Sequence, residues 1–311
     1  MLFGEEFERT VMPNVPFSEI LFADDTLIFA APGRSTEAFL WAIESVSGAY
    51  GLRLNRKKCA KLSIKDVDEI LFSNGEPVPV EPRAEYLGGI MDAKADPAIE
   101  INRRIASARF VWMKLNIFWR EGLLSMRDKI LIYNSVVGSR LTYGLHTLPL
   151  KLDLLHKIDA FQIRGLRQIL KLKHTFVDRS NTNKAVLEIA QRRLYRRTDT
   201  QGGQEEPKII KMSDLIITRA IKEFGEVVRA PHEDPRKLVT FTDDGSLTLK
   251  LPSHKRVGRP RTQWAMSVME QIWHRLHLNT RINVMQQHTF DIHNPEHIDL
   301  IIACAEANEF K

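Results

Sequence analysis

The sequence predicts an α+β protein: a small antiparallel sheet with one packed helix, then a helical bundle, then a further, mostly helical region. Three observations carry this. Residues 1–95 are built from short apolar, β-branched and aromatic runs punctuated by turn residues. From Pro97 onward, apolar residues recur at helical spacing. The segment "RRTDTQGGQEEPK", residues 196–208, is polar and contains glycine, and reads as a linker. The expected divisions are 1–95, 96–195, a linker over 196–210, and 211–311.

The first strands flank two adjacent aspartates. In "ILFADDTLIFAA", Phe17, Ile20 and Phe22 form one strand-like run, and Leu27, Ile28 and Phe29 form another. Ala23-Asp24-Asp25-Thr26 reads as a tight turn between them. Phe17 to Ala30 is therefore expected as a hairpin with buried arms, within a sheet of four or five strands. Two like charges on a rigid turn repel unless a cation lies near them. Carboxylate oxygens are the ligands Mg²⁺ takes, and two-metal nucleotidyl transfer uses such groups. A hydrated turn is the alternative that the residues leave open.

Phe39, Leu40, Ile43, Val46 and Tyr50 fall near helical spacing, with Ser35 or Thr36 as the cap and Gly51 as the stop. "LRLNRKKCAKLSI" resumes as a loop and a strand. Asn74-Gly75 in "ILFSNGEPVPV" is a hairpin signal, and "AEYLGGIMD" is a further short strand.

The bundle follows. Ile101, Ile105, Ala108, Val111, Trp112 and Leu115 mark its first helix. Ser125 caps the second. Leu152, Leu155, Ile158, Phe161, Ile163, Leu166 and Ile169 or Leu170 form the inward face of the third. Arg164, Arg167, Lys171 and Lys173 crowd the end of that third helix. The last hundred residues read as further helices with interruptions.

Composition narrows the class. No apolar run in the 311 residues reaches 18, so no membrane-spanning helix is expected. The start "MLFGEEFERT" lacks the basic region of a signal peptide. Cys59 and Cys304 stand far apart, which fits a reducing compartment and implies neither a disulfide frame nor a zinc site. His146, His156 and His174 share no ligand spacing and read as structural or phosphate-facing. The net charge of +6 is unevenly spread. Residues 1–95 hold 10 Lys and Arg against 15 Asp and Glu, whereas residues 96–197 hold 20 against 8. An acidic segment followed by a strongly basic one suggests a metal-binding part and a part that faces a polyanion. A solvated helical face is the plainer reading of the basic block.

Four motifs in order carry a resemblance. "FADDTLIF" resembles the catalytic hairpin of reverse transcriptases of non-LTR (LINE-like) retrotransposons. "GAYGLRLNRKKCAKL" is similar to that family's "GLxLNxxKT" segment, with Cys59 where threonine is usual. "YLGG", residues 86–89, resembles its "YLG" strand. "RVGRPRTQW", residues 256–264, is similar to a "GRPRxxW" element near the C-terminus of such proteins. The resemblance covers roughly residues 15–175 well and the rest loosely.

The resemblance implies a partial polymerase palm followed by a thumb-like bundle, an RNA template and a DNA primer as partners, and Mg²⁺ as cofactor. Asp24 would be the main metal ligand and Asp25 its neighbour near the primer end, with Phe22 and Ala23 leading in. Lys58 would lie near the phosphates of the incoming nucleotide, the third of the catalytic residues with Asp24 and Asp25. Tyr86, Leu87 and Gly88 would grip the primer. Arg103, Arg104, Arg164, Arg167, Lys171 and Lys173 would meet nucleic-acid phosphates.

The segment "MLFGEEFERTVMPNVP" does not resemble the family's earlier palm segment, which carries a further metal-binding aspartate. The chain is therefore expected to correspond to the C-terminal part of such an enzyme and not to polymerise DNA alone, unless the missing ligands are supplied in trans or another carboxylate such as Glu19 substitutes. The alternative is a catalytically inactive nucleic-acid-binding remnant. "VGRPR" is also similar to the core of AT-hook peptides, although a lead-in to a helix, with Pro260 near its start and Trp264 inward, accounts for it more simply.

Overall fold

The computed structural model describes residues 19–29, 34–62, 69–120, 124–149, 151–195, 208–242, 263–279, 294, 296–297, 299–300 and 303. These residues form an α+β protein, mostly helical, with two small antiparallel sheets of two strands each. The chain divides into two compact units, Met1–Ile99 with Ala230–Ser246, and Glu100–Arg229 with Leu247–Lys311.

In the first unit, β1 (Glu19–Phe22) pairs with β2 (Asp25–Ile28), and β3 (Arg83–Tyr86) pairs with β4 (Gly89–Asp92). Between the hairpins lies α1 (Arg34–Ala49), which ends at Gly51 in the left-handed region, φ +76°. The expected sheet of four or five strands is not what the described residues form. The segment from Leu71 to Val80 contributes only isolated bridges, Leu71 to Pro77 and Lys61 to Val80. The reason is legible in "PVPVEP": Pro77, Pro79 and Pro82 lack the N–H a ladder needs. The remaining amides still bond, Val78 N–H to the Ile70 carbonyl at 2.8 Å and Glu81 N–H to the Lys61 carbonyl at 2.9 Å. The Asn74-Gly75 turn forms as expected, with Gly75 at φ +84° and Phe72 N–H on the Glu76 carbonyl.

The second unit is helical. Its elements are most of α2 (Pro97–Lys114), then α3 (Asn116–Arg120), α4 (Met126–Ile132), α5 (Ser139–Thr142), α6 (Leu152–Leu170), α7 (Asn183–Leu194), α8 (Met212–Arg229) and α10 (Trp264–Asn279); α9 (Pro235–Thr240) belongs to the first unit. Ser125 caps α4 as expected: its hydroxyl accepts from Asp128 N–H at 3.1 Å and donates to the Asp128 carboxylate at 2.6 Å. The second helix of the expected bundle, which Ser125 opens, is interrupted, since Tyr133–Gly138 forms a wider π turn. Tyr133 is fully buried there, edge-on to Trp112, with its ring against Gly165 of α6. Leu155, Ile158, Ile163, Leu166, Ile169 and Leu170 face inward as the periodicity implies, but Leu152 at the start of α6 is 63% exposed.

Helices on both sides of the 196–208 segment share this core. Gln162, buried on α6, donates to the Ile210 carbonyl at 2.8 Å and accepts from Met212 N–H at 3.0 Å. Asp159 accepts from the Ser213 amide and hydroxyl at 3.0 and 2.8 Å, which satisfies the N-terminus of α8. A polar linker says nothing about whether the next helix docks. The apolar stripe of α8, from Ile216 through Phe224 to Val228, is buried in full. Residues 196–207 of the expected linker lie outside the described residues, as do Phe17, Ala30 and Pro260.

Candidate functional site

The two aspartates stand at the tip of the first hairpin. Asp24 lies in the two-residue turn, and Asp25 opens β2 opposite Phe22. Both are exposed. Ala23 takes φ +53°, a conformation that L-residues seldom adopt, and this tightens the turn. The arms are not buried as expected: Leu21 is 64% and Phe22 61% exposed. A two-stranded ribbon with four-residue arms has two faces and two edges to cover, and this one stays largely in contact with solvent. Glu19 pairs with Ile28 at the far end of the hairpin, three rungs from the Phe22–Asp25 pair. That is about 10 Å at the rise of a strand, so Glu19 does not complete a carboxylate cluster with Asp24 and Asp25.

Tyr86, Leu87 and Gly88 form the tip of the second hairpin. Leu87 at φ +48° and Gly88 at φ +71° both lie in the left-handed region, which gives the type I′ turn that suits strand twist. A leucine in that conformation stores about 1–3 kcal/mol of strain. The Tyr86 hydroxyl donates to the Ile20 carbonyl of β1 at 3.5 Å, a long bond that joins hairpins 66 residues apart. Asp92, at the end of β4, accepts from Arg83 at 3.3 Å and from the amides of Lys94 and Asp96. Burial pushes its pKa up, but these hydrogen bonds outweigh burial and hold it below the usual range.

Lys58 is exposed on a single 3₁₀ turn, Arg56–Lys58, rather than on a strand. Its neighbour Arg56 anchors that turn. The Arg56 guanidinium donates to Glu44 at 2.8 Å and to the Ser73 hydroxyl at 3.3 Å, and lies 5.3 Å from the Phe72 ring centre. Glu44 also accepts from Ser73 N–H at 2.9 Å, Glu37 accepts from Leu71 N–H at 2.8 Å, and Trp41 donates to the Leu71 carbonyl at 2.9 Å. This clamp was missed. Its signal was present as Glu37, Trp41 and Glu44 at i, i+4 and i+7, one face of α1.

The six expected phosphate contacts divide. Arg103 and Arg104 are engaged within the protein. Both pair with Glu100, at 2.7 and 2.6 Å, and Arg104 is buried with its guanidinium 4.6 Å from the Tyr143 ring centre. Arg167 turns inward too, donating to the Asn181 carbonyl at 2.7 Å and the Asn183 side chain at 3.1 Å. Arg164, Lys171 and Lys173 are exposed. Arg179 and Lys184, which the sequence did not single out, are exposed on the chain that follows them. His146 is half-buried; burial lowers its pKa, with Glu223 opposing and Arg219 adding to the shift.

No family model, curated protein or solved structure matches this chain. Among the described residues no group of three or more His, Cys, Asp and Glu gathers as a metal site, and no helix is long and apolar enough to cross a membrane.

Proposed function

We propose that this chain is the palm-and-thumb part of an RNA-directed DNA polymerase of the non-LTR retrotransposon kind, binding a template–primer duplex of RNA and DNA. The observation that carries the reading is the Tyr86–Ile20 hydrogen bond. Resemblance alone assigns "FADD" and "YLGG" to one working site, and a hairpin-to-hairpin contact between these distant segments is what such a site requires. The exposed cations at the end of α6 supply the second part of the reading, a surface that meets phosphates without reading sequence.

The donor set fits Mg²⁺ in kind. Magnesium keeps several waters and is held through one or two carboxylates plus substrate phosphates. Asp24 and Asp25 would hold it. When bound, the ion activates an attacking hydroxyl and stabilises the leaving phosphate. The protein's own part is positional: the tight Ala23 turn brings both carboxylates to an open tip, and the Tyr86 hairpin braces β1 behind them. With two carboxylates at the tip and Glu19 remote, an inactive nucleic-acid-binding remnant is the second reading.

Iron-mediated cleavage tests the assignment. Fe²⁺ replaces Mg²⁺ at carboxylate sites and, with ascorbate and oxygen, cuts what lies nearby. With a bound RNA–DNA hybrid, cuts are expected in the chain beside residue 24 and in the nucleic acid near the primer 3′ end, both lost in Asp24→Asn/Asp25→Asn. Cleavage spread evenly along the hybrid, or unchanged in the double variant, would remove the metal assignment and favour the remnant.

A further inference from the structure

We propose that the loop joining α6 to α7, residues 171–182, is a binding site for an unpaired nucleotide, with Phe176 as its stacking platform. This inference rests on the nucleic-acid reading above and adds the strand class that this surface takes.

The loop is built from within. Lys171 closes α6 in the left-handed conformation, φ +56°, and Leu172 N–H bonds back to the Arg167 carbonyl at 3.0 Å. A turn follows, with the amides of Val177 and Asp178 both on the His174 carbonyl. Asp178 accepts from the Ser180 amide and hydroxyl at 3.0 and 2.6 Å. Buried Asn181 donates to the Lys173 carbonyl at 3.0 Å, and its own carbonyl receives Arg167. Thr182 then caps α7 through Ala185 N–H. Both ends of the loop are thus tied to helices and its interior is tied to itself.

The tip of this braced loop carries Phe176, which is 96% exposed, beside Val177 at 70%. An exposed phenylalanine forgoes the burial energy of a large apolar ring. A slack loop would fold its aromatic down; this one holds it out. The His174 ring stacks with it, centroids 5.7 Å apart and planes 25° from parallel. The surroundings are cationic. Residues 164–184 contain six Lys and Arg against one acid, Asp178. Arg164, Lys171, Lys173, Arg179 and Lys184 are exposed, and the sixth, Arg167, serves the bracing.

A flat aromatic ring among cations is the combination that single-stranded nucleic acid recognises: the bases stack and the backbone meets positive charge. A blunt duplex offers the ring no open base face except at its ends. The positive charge selects a polyanion, and the exposed ring selects one with unpaired bases, such as a template running beyond a primer. An apolar protein groove or a lipid surface would use Phe176 without preferring an extended strand.

The test measures binding of the full chain by fluorescence anisotropy. The probes are a blunt RNA–DNA hybrid, the same hybrid with a short single-stranded extension, and anionic lipid vesicles. The extension is expected to tighten binding about tenfold, the size of one base–aromatic stack. Phe176→Ala should remove that gain while leaving blunt-hybrid affinity unchanged, and Phe176→Trp should keep it. Equal binding of the two hybrids, or a gain that survives Phe176→Ala, would overturn this inference alone. Loss of vesicle binding in Phe176→Ala without any preference for the extension would do the same and point to lipid. Failure to bind either hybrid at low salt would overturn the nucleic-acid reading itself.

Discussion

The two units hold themselves together in different ways. In the second, large side chains such as Tyr133, Ile158, Leu166, Ile216, Phe224 and Ile272 are sealed from water. In the first, the buried apolar side chains among the described residues are Phe72, Val78, Pro97 and Phe241, while Leu21, Phe22, Val46, Tyr50 and Leu52 are exposed. What fixes the first unit is a set of directed polar contacts, with α1 clipping the 71–73 segment through Glu37, Trp41 and Glu44. A core resists local change because any cavity or clash is shared by many neighbours. A clamp fails at a single bond. Helical periodicity in this sequence therefore reports burial faithfully in one unit and poorly in the other.

The largest effects are expected in the helical unit. Glu100→Ala would remove the carboxylate that buried Arg104 pairs with, at a cost of about 3–5 kcal/mol. Replacing both Glu100 and Arg104 by leucine should recover most of that loss. Chemical denaturation of the parent and the two variants checks this; a single variant as stable as the parent would mean that Arg104 finds water. Gly165→Ala comes next. A Cβ there would lie 2.6 Å from the Tyr133 hydroxyl and 2.7 Å from the ring, and Tyr133 is buried on every side. About 1–3 kcal/mol should be lost, and the pair Gly165→Ala/Tyr133→Phe should lose less than the sum.

The first unit should respond locally and to pH. Burial raises the Glu44 pKa, but hydrogen bonds from Ser73 and Arg56 outweigh it and hold the carboxyl below its ordinary value. Its stabilisation is therefore complete above the unfolded value of about 4.3 and is lost as pH falls through the folded value. Asp214 in α8 behaves oppositely. Burial raises its pKa and Asp159 adds to this, against Lys211 and Arg275, so its contribution is full at low pH and lost as pH rises through the raised value. Hydrogen exchange across the acid range should show the Ser73 amide, which Glu44 holds, losing protection as pH falls through the lowered Glu44 value. Glu44→Gln should remove the pH dependence at Ser73. The smallest effect is expected at Val46→Ser, within about 0.5 kcal/mol, because that side chain is 60% exposed.

How much of this was legible follows from the same contrast. The Ser125 cap, the Asn74-Gly75 turn and the inward face of α6 are local or periodic signals, and the structure has them. The exposed arms of β1 and β2 were not legible, because a strand-forming run does not say how many strands will cover it. The partners of Arg103, Arg104 and Arg167 were not legible either. Charge counting treats every arginine alike, whereas Glu100 at i−3 and i−4 takes two and the loop at 181–183 takes the third. Phe176 was passed over because a lone aromatic in a polar loop has no period.

The central claim is that the exposed cations at the end of α6 meet a template–primer backbone. The most direct measurement is the affinity of the full chain for an RNA–DNA hybrid at several salt concentrations. With Arg164, Lys171 and Lys173 on phosphates, joined by Arg179 or Lys184, log affinity should fall against log salt with a slope of about −3 to −4. Lys171→Gln/Lys173→Gln should make that slope shallower by about 2 while the circular dichroism stays unchanged. Binding that is absent at low salt, or that keeps its strength as salt rises, would contradict the account.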